Sequence, residues 1–300
     1  MRTFGIGATC GTGGCENRPV PSFDDEQGVT VTYYVWQVEH PRAVIHLVHG
    51  LGEYAMRYAQ LVEVLNENGF SVYAADQRGH GQTGLDQWNG DHTRLGRLGP
   101  GGLRAAVEDI RMLDRIIRTE NPGVPLVLLG HSWGSLMAQM LVNRHSDEVD
   151  ALVLTGTAYR TPAHMEAGDL NKRHKNLGTT GYEWLSRDER VAAEFAADPL
   201  TFDAKVLKLF GVADGLRLYG RPARGIRDLP LLVMIGEEDS LGGPTSARML
   251  VAAYRKRSGF TDTELVIYPG ARHEVFNETN RAEVFGDLVR WLDARFPARV

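Results

Sequence analysis

The sequence predicts an α/β fold: a mostly parallel central sheet with helices on both faces and one inserted helical cap. Three observations carry this. Strand-like apolar runs alternate with segments of helical period from about residue 29 to residue 296. The strand runs are almost continuously apolar, as strands buried on both faces must be. The alternation stops between 155 and 228, where no strand run is found and polarity is mixed, and it resumes afterwards.

The elements follow in order. Residues 29–38 are rich in β-branched and aromatic side chains and read as a strand. Residues 43–48 form a short apolar run that ends in His49-Gly50, a buried strand meeting a loop. Tyr58, Leu61 and Leu65 stand at helical spacing, and Gly69 is placed to stop that helix. Residues 70–75 are a strand, and 103–117 carry apolar residues at helical spacing. Pro122, Gly123 and Pro125 break the chain before a strand at 126–129 and a helix at 136–142. A strand at 151–154 precedes the interruption. Within the interruption, helices are expected at 187–197 and 204–212. Then come a strand at 229–235, a helix at 246–257, a strand at 263–268 and a helix at 281–296. Domain organisation follows: a flexible tail at 1–21, then one catalytic domain at 22–300 with a cap inserted at about 158–226.

Composition narrows the class. A chain of 300 residues, 43% hydrophobic and 24% charged, can bury a large core. A formal net charge of −5 argues against a nucleic-acid partner. No apolar run approaches the roughly 20 residues of a membrane helix, so no stable membrane insertion is expected. The first 21 residues are glycine-rich and lack the apolar region of a signal peptide. Both cysteines, Cys10 and Cys15, stand in this tail. Two thiols alone make a poor zinc site, and the body has none to cross-link its core. A cytoplasmic location is the expectation.

The chemistry begins at Gly130-His131-Ser132-Trp133-Gly134, a G-x-S-x-G sequence between an apolar strand and a helix. A sharp strand-to-helix turn needs its glycines and lifts the serine oxygen clear of the sheet, the nucleophile elbow of the α/β-hydrolase fold. An ordinary glycine-rich turn is the plain alternative, so partners must be found. Serine needs a base to take its proton, and in this fold the order is serine, acid, histidine. Of ten histidines only His273 lies beyond position 239, on a loop just after the strand at 263–268. The orienting acid should follow the preceding strand, where Glu237, Glu238 and Asp239 stand together. Spacing does not choose among them. The oxyanion formed on attack needs donors. The N–H of Trp133 follows the nucleophile, and the loop His49-Gly50-Leu51-Gly52 offers the N–H of Leu51.

Four ordered motifs resemble those of monoacylglycerol lipases and bacterial lysophospholipases. His49-Gly50-Leu51-Gly52-Glu53 with Arg57-Tyr58 resembles their H-G-x-G-E…R-Y loop, and Asp76-Gln77-Arg78-Gly79-His80-Gly81 their D-x-R-G-H-G loop. Residues 235–239 resemble the G-x-x-D segment, and 268–274 the segment carrying the histidine. The resemblance implies Asp239 as the acid and the same two oxyanion donors. Glu53 and Arg57 beside Leu51, and His131 in the elbow, are expected to support the loop or touch substrate. Trp133-Gly134-Ser135 departs from the pattern toward proline iminopeptidases, whose H-G-G-P-G loop is absent here. Thr83 replaces a usual serine. The first half of the cap is rich in Lys, Arg, His, Asn and Thr, unlike a membrane-docking lid.

The leading reading is a serine carboxylic-ester hydrolase acting on short-to-medium acyl esters or single-chain lipids. It needs no cofactor and no metal, since water is the second substrate. A proline iminopeptidase-like aminopeptidase is the alternative, and a non-catalytic binding protein on the same scaffold is a third. Epoxide hydrolase or dehalogenase chemistry would need a carboxylate where Ser132 stands.

Overall fold

The computed structural model describes residues 20–298. Elements are numbered in chain order: β1 (Ser22–Asp24), β2 (Thr30–Trp36), β3 (Ala43–Val48), β4 (Phe70–Ala75), β5 (Leu126–His131), β6 (Ala151–Thr155), β7 (Leu231–Gly236) and β8 (Thr263–Tyr268). They form one sheet in the order β1-β2-β4-β3-β5-β6-β7-β8. The pairs β1–β2 and β2–β4 are antiparallel, and every other neighbouring pair is parallel.

Helices cover both faces. On one side lie α3 (Gly102–Glu120), α4 (Trp133–His145) and α7 (Gly243–Ala253); on the other lie α1 (Ala59–Glu67) and α8 (Arg281–Arg295). The central strand shows why its run is apolar but for His46, whose ring meets Asp114 at 2.7 Å. Val44 and Val48 of β3 pack with α3 and α4, whereas Ala43, Ile45 and Leu47 pack with α1 and α8. All parallel strands therefore end on one edge of the sheet, and the loops leaving that edge hold the candidate site. Between β6 and β7 the chain leaves the sheet and carries α5 (Glu189–Ala197) and α6 (Val206–Arg217). Among the described residues, no helix is long and apolar enough to cross a membrane.

Several expectations shift. The short strand β1 and the helix α2 (Gly81–Gln87) were not foreseen, because neither shows an apolar period. Tertiary contacts hold α2: Gln82 N–H donates to Asp76 at 2.7 Å, and Thr83 Oγ1 accepts from Thr32 N–H at 2.9 Å. Helix α5 begins two residues later than expected, since Asp188 caps it by accepting from Arg190 N–H. The helix expected at 204–212 starts at Val206 and runs to Arg217 across a kink at Gly211, whose φ of 75° breaks the helical path. The sheet starts at Ser22, and Cys10, Cys15 and residues 1–17 lie outside the described residues.

One buried cation ties the early chain down. Arg78 is fully buried, pairs with Asp109 at 2.7 Å and with Asp25, and donates to the carbonyls of Leu98 and Pro100. Two carboxylates and two carbonyls surround it, the charge compensation that a buried guanidinium requires.

Candidate active site

The turn from β5 to α4 places Ser132 at φ 51° and ψ −123°, a left-handed conformation for a residue with a Cβ. Such strain costs about 1–3 kcal/mol and persists where the surroundings over-determine it. Ser132 N–H donates to the Thr155 carbonyl at 2.9 Å, which fixes the turn against β6. Both flanking glycines are required sterically. A Cβ on Gly130 would stand 2.7 Å from the Gly134 carbonyl oxygen, and one on Gly134 only 2.2 Å from the Val48 carbonyl oxygen.

Ser132 Oγ lies 2.8 Å from His273 Nε2, and His273 Nδ1 lies 3.0 Å from Asp239 Oδ2. The other Asp239 oxygen accepts from Leu241 N–H at 2.7 Å. His273 and Asp239 are buried, and Ser132 is half-buried. A carboxylate facing Nδ1 holds the proton there, leaving Nε2 free to accept the serine proton. Glu237 instead accepts from Gly270 N–H, and Glu238 pairs through its backbone with Ala271. Of the three adjacent acids, Asp239 is the one brought to the imidazole.

The loop after β3 reaches the same point. A Cβ on Gly50 would lie 3.0 Å from the Cβ of Ser132. Trp133 opens α4, so its N–H has no partner within the helix. Leu51 follows Gly50 directly. The loop is held by charge. Glu53 Oε1 accepts from Gly50 N–H at 2.6 Å and from the Tyr58 hydroxyl at 2.7 Å, and its other oxygen pairs with Arg57 at 2.7 Å. Arg57 also grips both oxygens of Glu274, the residue after His273, at 2.8 and 3.0 Å. Burial pushes Glu274 up, but Arg57 outweighs it and holds the carboxyl at about 2. Burial, reinforced by the Glu274 charge, outweighs Arg57 at Glu53 and pushes it up. One guanidinium thus links the Leu51 loop to the His273 loop. His131 hydrogen-bonds Thr155 Oγ1 at 3.0 Å, and its ring centroid lies 4.9 Å from that of His273. Burial, then the neighbouring His273, pushes His131 down to about 3, so it packs as a neutral ring.

The segment between β6 and β7 contributes residues that the sequence reading missed. Arg272 donates to the carbonyls of Glu183 and Ser186 at 2.7 and 2.8 Å, and Glu274 N–H to that of Leu185 at 2.7 Å. The Trp184 ring rests 4.7 Å from His273. Phe202 N–H donates to Gly52 O at 3.1 Å. The apolar second half of this segment divides. Phe202 and Phe210 approach the site, Leu218 is buried in the core, and Leu207, Val212 and Leu216 face solvent. Leu207, Val212 and Leu216 therefore do not line the site, and α6 is kinked between Leu207 and Val212, at Gly211.

Gly156 was also missed. It has φ 50°, and a Cβ there would stand 2.7 Å from His131 Cε1 and 3.0 Å from His273 Cε1. The lone glycine directly after an apolar strand was the available signal. Gly156→Ala should therefore push on both rings and lower kcat by about 10²-fold, the cost of a small misplacement of a reacting group. Single-turnover kinetics beside a melting curve will test this. A variant with normal kcat would show that the contact is slack.

A family model described as serine aminopeptidase, S33 matches residues 39–280. The chain belongs to this family of α/β-hydrolases. The hydrolase is 33% identical over 283 residues to a monoacylglycerol lipase of Mycolicibacterium smegmatis, covering 90% of this chain and 95% of that one. It is 24% identical over 316 residues to a monoglyceride lipase of Saccharomyces cerevisiae, covering 92% and 93%. Its fold resembles that of a lipase in the open form, with a TM-score of 0.76 and 25% identity over 92% of this chain and 98% of that chain. The hydrolase is therefore monoacylglycerol lipase-like, and aminopeptidase appears only in the family description.

Proposed function

We propose that this ester-hydrolysing enzyme works through Ser132 as nucleophile, His273 as general base and Asp239 as the acid that orients it. The carrying observation is the unbroken line from Ser132 Oγ through His273 to Asp239, at 2.8 and 3.0 Å. Attack by Ser132 on the ester carbonyl passes its proton to Nε2 and forms a tetrahedral oxyanion. The N–H groups of Leu51 and Trp133 stabilise it. Nε2 then returns the proton to the leaving alcohol, giving an acyl-enzyme. Water deprotonated by His273 attacks the acyl-enzyme and releases the acid and Ser132. Glu53 and Arg57 act through the Leu51 loop, and His131 through its contact with His273. The segment at about 158–226 is a cap over one domain. A body without cysteine fits a reducing cytoplasm.

The proposed substrates are short-to-medium acyl esters or single-chain lipids such as monoacylglycerols. Each buried CH₂ adds at most about 0.8 kcal/mol, so kcat/KM should climb with acyl length for as long as further carbons are buried. The experiment compares p-nitrophenyl esters from acetate to palmitate, a monoacylglycerol, and a proline anilide. A faster anilide would overturn the ester reading in favour of an aminopeptidase. A maximum at palmitate with activation by lipid interfaces would overturn the preference for short chains.

The pH dependence follows from His273. Burial pushes its pKa down, but the charge and hydrogen bond of Asp239, with Glu274 and Glu53 behind, outweigh burial and raise it. The base must be unprotonated to act, so activity is present above the raised pKa and is lost as pH falls through it. The acid limb of kcat/KM should therefore have its midpoint above the ordinary value of about 6.5. A midpoint below about 6 would remove His273 as the base.

A further inference from the structure

We propose that Glu278 is a positioning residue for His273: its one carboxylate fastens together the two segments that hold the imidazole. The inference rests on the triad reading of Ser132, His273 and Asp239. Glu278 follows the 3₁₀ turn Val275–Asn277, one short turn beyond His273, and its side chain is fully buried. It faces neither nitrogen of the imidazole, so no proton passes through it.

A carboxylate is costly to bury and persists only where donors compensate it. Among the described residues, four N–H groups converge on Glu278. Its Oε1 accepts from Arg272 N–H at 2.7 Å and from Arg187 N–H at 3.1 Å. Its Oε2 accepts from Arg187 Nε–H at 2.8 Å and from Thr279 N–H at 3.0 Å.

The places of these donors decide what the carboxylate does. Arg272 directly precedes His273, and Arg187 ends a stretch, 184–187, that runs along the histidine loop. There His273 N–H donates to Trp184 O at 3.3 Å, Glu274 N–H to Leu185 O at 2.7 Å, and Ser186 Oγ to Asn277 O at 2.9 Å. The same stretch carries the Trp184 ring, 4.7 Å from the imidazole. One oxygen, Oε1, therefore joins the peptide before His273 to the stretch that packs on its ring. The bonds to Ser132 and Asp239 hold the imidazole at its two nitrogens, and Glu278 holds the loop from which it hangs. Arg187 is itself held, since its Nη2 donates to Asn280 Oδ1 at 2.8 Å. Glutamine has the right shape for this place and the wrong chemistry. Whichever way its amide turns, the NH₂ end is set against two N–H groups that need an acceptor.

The test is Glu278→Gln, assayed on a soluble p-nitrophenyl ester, with active sites counted by a serine-directed phosphonate. Counting sites removes any loss of folded protein from the rate. Per site, kcat should fall by about 10- to 100-fold, the cost of a small misplacement of a reacting group, while KM stays within about threefold. A residue that only stabilises the fold would lower the count and leave kcat per site at its wild-type value, and that result would overturn the proposal. A raised KM at unchanged kcat would also overturn it, since Glu278 would then act on binding alone. If the Gln variant does not fold, Arg187→Met decides. That side chain is 32% exposed, so its exchange disturbs the core less, yet it takes the guanidinium from Glu278. It should lower kcat per site by about tenfold with KM kept, and an unchanged kcat would overturn the proposal. Wild-type turnover by a Ser132→Ala variant would overturn the triad reading and this inference with it.

Discussion

Replacing Ser132 by alanine is expected to lower kcat by about 10⁴- to 10⁶-fold and leave the fold intact. The size follows from how a triad works. The base and the acid act on the substrate only through the serine oxygen, so losing it costs nearly as much as losing all three members. The fold should survive because alanine keeps the same Cβ at the same positive φ, and the backbone bond from Ser132 N–H to Thr155 O needs no side chain. Among the described residues, the one side-chain bond lost is that to His273 Nε2. His273 keeps Asp239 on its other nitrogen, so it stays in place. Stopped-flow release of p-nitrophenol, with circular dichroism of the same preparation, reads both halves of the expectation. Residual turnover above about a tenth of wild type would reduce Ser132 to a binding role.

The sheet was legible because its physics is local. Strands covered on both faces are apolar at nearly every position, and β3, β4 and β7 lie where near-continuous runs stand in the sequence. Elements held by distant partners were not legible. Helix α2 has almost no apolar residues and owes its place to Asp76, whose carboxylate takes N–H groups from Gln82 and Ala55. The same divide runs through the candidate site. The elbow is a local motif whose glycines are forced by its own backbone. The contacts of Trp184 with His273 and of Phe202 with Gly52 join segments far apart in the chain, and no period or motif in the cap marks them. Arg57 shows an intermediate case. Its pairing with Glu53 at a spacing of four could be read from sequence, but its grip on Glu274 exists only because the β3 and β8 loops share one edge of the sheet.

Asp239→Asn should be the next most damaging change, lowering kcat by about 10⁴-fold, while Glu237→Gln and Glu238→Gln stay within about twofold of wild type. The reason lies in what each Asp239 oxygen does. One accepts from Leu241 N–H at 2.7 Å, and the other faces His273 Nδ1 at 3.0 Å. An asparagine has one acceptor and one donor end. Satisfying Leu241 turns the amide N–H₂ toward His273, which must then accept at Nδ1 and carry its proton on Nε2. An Nε2 that already holds a proton cannot take one from Ser132. Turning the amide the other way sets two N–H groups against each other at Leu241, in a buried place where the clash is costly. Neither Glu237 nor Glu238 has this double duty, and Glu237 is exposed. The exchange also removes the charge that opposes burial and raises His273, so the residual activity should show its acid limb moved to lower pH. A pH–rate profile of the Asn variant beside wild type gives the direction. An unmoved limb would mean that Asp239 positions the ring without setting its charge, and a Glu238→Gln variant worse than Asp239→Asn would reassign the acid.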